Sequence, residues 1–309
     1  LIGSRTDVTL LAAGRIDGYL KGRVTMASAE RDSNISPAQL QLALPRLSQF
    51  SQDPAQLAKA DDPSVGAAGA CYVNVMCEAG WEVQSRAVAR AFFTCRDGSS
   101  FLCSVTLLND VRGSRTPFFL TARHCIASQA EASSLLTYWF FRASSCNGAA
   151  IDPRETMLGG GADLLLTDSG SDSALLRLRR APPAGVAYAG SYFGQDVGVH
   201  AAVSGIHHPL GDLQKISTGA VSGYANCRNN TCLVADADNG DVLRVHWSRG
   251  TTEGGSSGSA IFVRFDSSKR YVAGTLHGGN ASCQRPSGSD FYGRYDKAFA
   301  AGLARWLRP

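Results

Sequence analysis

The sequence predicts an all-β protein, and two observations carry this prediction. From residue 66 onward, short apolar stretches alternate with clusters of Gly, Ser, Asn and Asp, a pattern typical of many short strands joined by turns in a sandwich or barrel. The strands do not alternate with helical segments, which disfavours an α/β sheet. With 309 residues and 44% hydrophobic content, the chain can bury a substantial core.

A separate unit precedes the strands, because residues 1 to 65 contain no Cys, His or Trp. Helices are expected to start in it at Ser36 and Asp53, each a capping residue followed by Pro, and Pro45 ends the first one early. Strands are then expected over residues 92–94, 101–108, 117–120, 138–141, 174–178, 197–206, 242–247, 260–265 and 271–276. A helix capped by Asp296 is expected to end the chain, with Phe299, Leu303, Trp306 and Leu307 on one face.

Composition narrows the class of protein. The net charge of +4 comes from 30 basic and 26 acidic residues scattered along the chain, which argues against nucleic acid or an acidic membrane as a partner. No apolar run approaches the roughly 18 to 20 residues that span a bilayer. The nine cysteines lack the spacing of a zinc site, so we expect a secreted protein with disulfides. The chain has neither a starting Met nor a signal peptide, so Leu1 is expected to begin a processed or truncated chain.

Three short strings contain the residues of a nucleophilic catalyst. Acyl transfer by an alcohol needs a nearby base, an acid that orients the base, and donors for the oxyanion. We interpret Ser257, in the run of residues 254–259, as the nucleophile, His124 as the base and Asp172 as the orienting acid. The backbone amides of Gly255 and Ser257 are expected to form the oxyanion hole.

These strings, Thr-Ala-x-His-Cys, Asp-x-x-Leu-Leu and Gly-x-Ser-Gly-Ser, resemble those of the chymotrypsin-like serine proteases. Over about residues 66 to 309 the chain resembles the bacterial lysyl endopeptidases, through the strings at residues 66–71, 206–209, 254–259, 276–279 and 289–294. The resemblance implies two antiparallel six-stranded β-barrels with the active site between them and a C-terminal helix. We expect the first barrel over residues 66–195 and the second over residues 196–309.

The resemblance also locates the pocket that binds the substrate side chain. The acid that trypsin carries six residues before its nucleophile is absent, since Thr251 stands there. Asp290 is expected at the pocket floor, where a carboxylate would pair with a substrate ammonium. By resemblance, His277 and Trp247 stack beside the pocket, and Gly278 lines it. A narrow pocket ending in a carboxylate favours Lys over the wider Arg, so we expect cleavage after lysine.

Four disulfides are expected. Cys125 follows His124 and Cys103 lies on the preceding strand, so a bridge between them would hold His124 in place and stabilise the fold by about 3 kcal/mol. The resemblance implies two more bridges, Cys71 to Cys283 and Cys77 to Cys146. Cys227 and Cys232 are expected to close a small loop of their own, which leaves Cys95 over.

The resemblance places the start of the mature enzyme near Gly66. Residues 1 to 65 are then the remnant of a pro-segment or an N-terminal extension, which would act on the enzyme as a partner in cis. Because Val65 precedes Gly66, a lysyl enzyme would not cut itself there, and we expect cleavage at Lys59 or trimming by another protease. We expect a secreted monomer that acts on proteins or peptides.

Two other interpretations stay open. One keeps the fold but makes the protein a trypsin-like or broader protease in which Asp290 lies outside the pocket. The other is a catalytically silent homologue that serves as a binding module, against which stands the full set of Ser257, His124 and Asp172. No cofactor is expected. The pair His207 and His208 gives no metal site, because adjacent side chains on a strand point to opposite faces.

Overall fold

The all-β prediction is confirmed by a computed structural model, which describes residues 64–146, 148, 150–194, 197–228, 231–266 and 269–308. The helices expected at Ser36 and Asp53 lie outside these residues. The strands are β1 (Val73–Asn74), β2 (Val88–Thr94), β3 (Ser100–Leu108), β4 (Phe118–Ala122), β5 (Leu136–Trp139), β6 (Thr156–Leu158), β7 (Ala162–Asp168), β8 (Ser173–Leu178), β9 (Ala202–His207), β10 (Lys215–Arg228), β11 (Thr231–Ala235), β12 (Val242–Arg249), β13 (Ala260–Arg264), β14 (Arg270–Gly279) and β15 (Asp290–Arg294). The helices are α1 (Glu82–Ser85), α2 (Gln129–Ser133), α3 (Tyr295–Ala298) and α4 (Ala304–Leu307), with a π-helical turn at Phe299–Leu303 and 3₁₀ turns at Val75–Cys77 and Pro209–Gly211.

The second sheet closes into a barrel of six antiparallel strands. Its order is β10, β12, β15, β14, β13 and β9, and β9 pairs back onto β10. Two short strands extend it, because β1 and β11 each pair with β10. The interior is apolar and fully buried around Val203, Val245 and Ile261, as the alternation of inward and outward side chains requires.

The first sheet contains seven strands in the order β6, β5, β2, β3, β4, β8 and β7. Its two end strands follow each other in the chain and are joined only by residues 159–161, all glycine, so they act as two halves of one bent strand. Gly161 makes the corner: its φ is +70°, and a Cβ there would lie 2.4 Å from the carbonyl oxygen of Ser133. A glycine corner of this kind lets the chain pass from one edge of the sheet to the other.

The two barrels share an apolar core that the C-terminal helix covers. Leu303 and Leu307 belong to the same buried cluster as Leu120 of β4 and Phe262 of β13, which confirms the predicted apolar face. The predicted cap is wrong, since Arg294 holds the cap position and no side chain caps the helix. Asp296 lies in the first turn and pairs with Arg294 at 2.6 Å.

The apolar pattern of the sequence did not predict β10, the longest strand that the structure describes. β10 has 14 residues, yet it was not among the expected strands, because Ser, Thr, Gly and Asn interrupt its apolar positions. The strand expected from residue 197 begins only at Ala202, after His200, whose φ is +72°. Tertiary pairing rather than local hydrophobicity therefore sets these boundaries.

The structure contains the four expected disulfides, Cys71–Cys283, Cys77–Cys146, Cys103–Cys125 and Cys227–Cys232. Cys95 is half-buried and belongs to none of them. The first described residues are also anchored by a carboxylate, because buried Asp212 accepts the backbone N–H of Gly66 at 2.8 Å and that of Ala68 at 3.1 Å.

Candidate active site

The turn at residues 254–259, which we call the nucleophile turn, projects from the second barrel onto the first. The backbone N–H of Ser104, on β3, donates to the carbonyl of Ser257 at 2.8 Å, and its hydroxyl donates to the carbonyl of Gly255 at 3.0 Å. Gly258 has a φ of +80°, and a Cβ there would lie 2.2 Å from Thr121 Oγ1. Only glycine fits at this point, because the backbones of the two barrels approach so closely.

Two amides of the nucleophile turn are left for a ligand. The N–H groups of Gly255 and Ser257 donate no hydrogen bond to any residue that the structure describes. Gly255 has a φ of +87°, a conformation that suits glycine and directs its amide away from the usual helical or strand partners. Paired unpartnered amides beside a hydroxyl have the arrangement of an oxyanion hole.

A buried histidine is hydrogen-bonded to the nucleophile turn. His207 is fully buried, and its Nδ1 lies 2.8 Å from the hydroxyl of Ser256, while its Nε2 lies 3.1 Å from the hydroxyl of Ser217. Burial, together with the charge of Lys215, lowers the pKa of His207 to about 3, so the ring is neutral. His207 was expected to be structural, but its contact with the residue next to Ser257 has no signal in the sequence.

His124 and Asp172 lie together at the facing ends of β4 and β8. Asp172 Oδ2 lies 2.6 Å from His124 Nδ1, and Asp172 Oδ1 accepts the backbone N–H of His124 at 2.9 Å. The disulfide Cys103–Cys125 ties the residue after His124 to β3. A carboxylate on Nδ1 leaves Nε2 of the ring as the free acceptor, which is the tautomer that a general base needs.

A second histidine shares the same carboxylate. His277 Nδ1 lies 2.7 Å from Asp172 Oδ2, and the rings of His277 and His124 meet edge to face with centroids 5.9 Å apart. Burial by itself would raise the pKa of Asp172, but hydrogen bonds from the two histidines outweigh it and lower the pKa to about 2. Asp172 is therefore ionised at every pH at which the fold is expected to persist.

Ser257 is half-buried and has no hydrogen bond to His124 within the described part of the chain. His124 itself is open to solvent, with 40% of its side chain exposed. Catalytic hydrogen bonds are often long in an enzyme without substrate and tighten when substrate binds. The hydrogen bond between His124 and Asp172 is therefore present, while the role of Ser257 as the nucleophile stays a prediction.

Asp290 is a buried carboxylate at the start of β15. Its Oδ2 accepts hydrogen bonds from Trp247 Nε1 at 2.6 Å and from Thr252 Oγ1 at 2.7 Å. Its Oδ1 is buried and has no hydrogen bond among the described residues. Burial raises the pKa of Asp290, although Trp247, Thr252 and the nearby amide of Ala281 oppose the shift. A buried carboxylate with one unused oxygen is poised for a cation.

Trp247 contacts Tyr292 and Asp290. Its ring packs edge-on against Tyr292, with centroids 6.1 Å apart, and makes no ring contact with His277. Trp247 instead donates to Asp290, so the stacked pair implied by the resemblance is absent from the described residues. Gly278 follows His277 on β14, with a φ of +147° and open space around its Cα. Thr252 was not singled out from the sequence, where it carries no distinguishing pattern.

The adjacent pair His207 and His208 lies inside the barrel rather than at a surface site. His208 Nδ1 lies 3.0 Å from the carbonyl of Asp212, and burial lowers the pKa of His208 to about 3. The two rings make separate contacts, as expected for neighbouring residues on a strand. Each supports the loop beneath the nucleophile turn, where the N–H of Leu210 donates to the carbonyl of Gly254 at 2.6 Å.

Two antiparallel sheets, one of them a closed six-stranded barrel, together with the candidate residues Ser257, His124 and Asp172, have the arrangement typical of the chymotrypsin-like serine proteases. Residues 65–293 match the family described as lysyl endopeptidase, C-terminal domain. The chain belongs to the lysyl endopeptidase family.

Comparison with individual proteins agrees with this assignment. The chain is 34% identical over 291 residues to the lysyl endopeptidase of Pseudomonas aeruginosa, covering 90% of this chain and 60% of that protein. It therefore spans about 60% of the length of this relative.

Solved structures give more distant likenesses. The HtrA-type protease AlgW with a tripeptide is 18% identical, with a TM-score of 0.49, covering 73% of this chain and 62% of that one. A thermostable serine protease from an extremophilic microorganism is 14% identical, with a TM-score of 0.48, covering 73% of this chain and 99% of that one. Neither likeness bears on the residues of the site.

Proposed function

We propose that this protein is a secreted serine endopeptidase that hydrolyses peptide bonds on the carboxyl side of lysine. The observation that carries the proposal is the unused, buried Oδ1 of Asp290, beside a Ser, His and Asp set. The name of the Pseudomonas aeruginosa relative supports the same specificity.

The proposed reaction uses the chain's own groups. Ser257 Oγ attacks the carbonyl carbon while His124 Nε2 takes its proton, and Asp172 stabilises the imidazolium that forms. The amides of Gly255 and Ser257 bind the oxyanion of the tetrahedral intermediate. The intermediate then expels the amine, which takes the proton from His124, and leaves an acyl-enzyme. Water, activated by the same histidine, hydrolyses the acyl-enzyme and restores Ser257.

The hydrogen bonds of Asp290 give a reason for lysine rather than arginine. A lysine ammonium is a point charge that one carboxylate oxygen can accept, whereas the planar guanidinium pairs best with two oxygens at once. Since Trp247 and Thr252 already donate to Oδ2, only Oδ1 is left for the substrate. Recognition through one carboxylate oxygen therefore favours lysine over arginine by its hydrogen-bond geometry, in addition to the narrow pocket expected from the sequence.

Matched peptides that differ only in Lys or Arg before the scissile bond test the specificity. We expect kcat/KM for Lys to exceed that for Arg by at least about 100-fold, a difference of roughly 2.7 kcal/mol in transition-state binding. A digest of one unfolded protein, with the residue before each cut identified by mass spectrometry, gives an independent measurement. Equal cutting after Lys and Arg would establish the trypsin-like alternative.

Serine-directed phosphonates test whether the site is catalytic. We expect one adduct per molecule, on Ser257, and none on the Ser257→Ala variant. Ser256 and Ser259 are buried and serve as internal controls in the same tryptic peptide map. An unlabelled Ser257 in the mature protein would make the chain a silent homologue that binds without cutting.

Secretion and maturation are part of the proposal. Four disulfides support an oxidising compartment, and no helix in the described ranges is long and apolar enough to cross a membrane. We propose that residues 1 to 65 are removed as a pro-segment and that the mature enzyme is a monomer. Mass spectrometry of the active species checks the cleavage point, and active enzyme that retains Leu1 would disprove obligatory removal.

A further inference from the structure

His277 lies close to a disulfide as well as to its carboxylate partner Asp172. A ring nitrogen of His277 lies within 4.8 Å of the sulfurs of both Cys227 and Cys232, which we call the hairpin disulfide. The same histidine donates to Asp172, and Asp172 also accepts from His124. A continuous chain of contacts thus runs from the hairpin disulfide to the proposed general base.

The hairpin disulfide is placed where a cross-link adds little to the fold. Cys227 and Cys232 stand directly opposite each other in the antiparallel pair of β10 and β11, which backbone hydrogen bonds already hold. Their separation of five residues is the smallest of the four bridges, so this bond restricts the unfolded chain least. Stabilisation of the unfolded-to-folded equilibrium therefore does not explain why the hairpin disulfide lies beside His277.

The backbone around His277 leaves its ring with few other restraints. The pairing of β14 with β15 shifts register between Leu276 and Gly278, so His277 lies on a bulge, a feature that redirects side chains near active sites. Gly278 has no side chain to pack against the ring, and a Cβ there would meet nothing within 4 Å. The sulfurs are therefore among the few neighbours close enough to restrain the ring, besides Asp172 and His124.

We propose that the hairpin disulfide is a positioning element of the catalytic site. It holds the ring of His277 in the orientation in which Nδ1 donates to Asp172, and so restrains the carboxylate that orients His124. The inference rests on the proposed serine protease function. Small displacements of catalytic groups cost large factors in rate, so this restraint acts on kcat rather than on substrate binding.

A double-mutant cycle on the full chain, processed to its active form, tests the inference. One arm replaces Cys227 and Cys232 by Ala, the other is His277→Ala, and a third variant combines them. We expect the Ala pair to lower kcat on a Lys peptide roughly tenfold with KM within about twofold of the parent. In the His277→Ala background the same pair should change nothing further, since the group it restrains is gone.

Replacing Cys227 and Cys232 by Val tests whether side-chain volume at these two positions restores part of the activity. Valine suits a cross-strand position and fills part of the space of the sulfurs, so its kcat should lie between that of the parent and that of the Ala pair. It also keeps the test valid where the Ala pair does not fold. A Cys77→Ala, Cys146→Ala variant, which removes a bridge elsewhere, should keep the parental kcat per active site.

The labelling rate of Ser257 by a phosphonate separates this inference from the proposed specificity, because the reaction needs the activated serine but no lysine. If the parent labels but does not cut after Lys, the specificity is wrong, and the cycle is read from labelling rates instead. If the parent does not label, the proposed protease function fails. Additive effects of the Cys pair and His277→Ala, or an unchanged rate in the Ala pair, would overturn the positioning role.

Discussion

Asp290 is the residue to which we assign the proposed specificity, because a buried carboxylate is costly unless a cation joins it. It is 1% exposed, and burial raises its pKa above the ordinary value of 3.8. The free protein therefore tolerates this charge at a cost to its own stability. A lysine ammonium on Oδ1 would relieve that cost in the complex.

Replacing the charged Asp290 by neutral Asn distinguishes an effect on substrate binding from an effect on the stability of the fold. We expect Asp290→Asn to lower kcat/KM for Lys peptides by about 100- to 1,000-fold, in line with the roughly 2–5 kcal/mol of losing one partner of a buried charge pair. The melting temperature should stay the same or rise, since a buried charge is removed. Asp163→Asn, in an ion pair with Arg177 and Arg179 on the first barrel, is the control and should leave kcat/KM unchanged.

The same carboxylate predicts a pH effect on KM. The pair with a lysine ammonium exists only while Asp290 is ionised, so affinity is lost as pH falls through its raised pKa, above the range of an ordinary Asp. Asp172, with a pKa of about 2, stays ionised over this window and contributes no loss. Initial rates from pH 4 to 8 should show KM rising on acidification in the parent and staying flat in Asp290→Asn.

Two neighbouring threonines give a matched pair for the choice between Lys and Arg. Thr252 donates to Asp290 Oδ2, whereas the equally buried hydroxyl of Thr251 has no hydrogen bond in the described residues. We expect Thr252→Val to free part of Oδ2 and to raise the Arg to Lys ratio of kcat/KM about tenfold, the worth of one hydrogen bond to a charged group. Thr251→Val should leave the ratio unchanged, and equal ratios in both variants would contradict single-oxygen recognition.

At the scale of the element, the nucleophile turn depends on the first barrel as much as on the second. The carbonyls of Gly255 and Ser257 in this turn accept hydrogen bonds from Ser104 of β3. The hydroxyl of Ser256, between them, is hydrogen-bonded to His207 of β9. A turn of Gly and Ser has little structure of its own. Contacts from both sides therefore fix the two amides that would bind an oxyanion.

Glycine substitutions measure this close approach. At Gly258 a Cβ would lie 2.2 Å from Thr121 Oγ1 and 2.7 Å from the carbonyl of Ser104, so we expect Gly258→Ala to cost more than about 3 kcal/mol of unfolding free energy and to abolish activity. Gly254→Ala is the control, because its Cβ would meet nothing nearer than 4.0 Å. Urea unfolding and active-site titration of both variants give the comparison.

At the scale of the whole molecule, long-range links join the start of the catalytic unit to the second barrel. Cys71–Cys283 spans 212 residues, and Asp212 holds the amides of Gly66 and Ala68. β1 adds a strand to the second sheet rather than the first. The segment that leads into the first barrel is thus fastened across the interface between barrels.

Loop length predicts how much each bridge contributes. In the chain-entropy description, a bridge that closes about 200 residues stabilises by roughly 5 kcal/mol and one that closes about five residues by roughly 2 kcal/mol. We expect replacement of Cys71 and Cys283 by Ser to lower the urea midpoint more than replacement of Cys227 and Cys232. Equal shifts in the two variants would mean that local strain, not chain entropy, sets the stability.

The sequence predicted much of the site because chemistry there has few solutions. His124, Asp172 and Ser257 occur in strings whose order and flanking residues are distinctive, and the glycines around Ser257 mark a tight turn. Ser104, His207 and Thr252 gave no such signal, because Ser, His and Thr occur anywhere in a strand or loop. Trp247 was predicted beside the pocket, and its contacts with Asp290 and Tyr292 likewise had no signal in the sequence.

By itself, the sequence determined the all-β class and the apolar face of the C-terminal helix, and it predicted the candidate reactive residues, since each of these depends on local pattern or residue type. Only the tertiary structure decided that residues 159–161 join the two edge strands of the first sheet, that β10 is the longest described strand, and that one oxygen of Asp290 is already bound. The same holds for the contact between the hairpin disulfide and His277. These features join residues far apart in the chain, and no local pattern encodes the distance between two side chains on different strands.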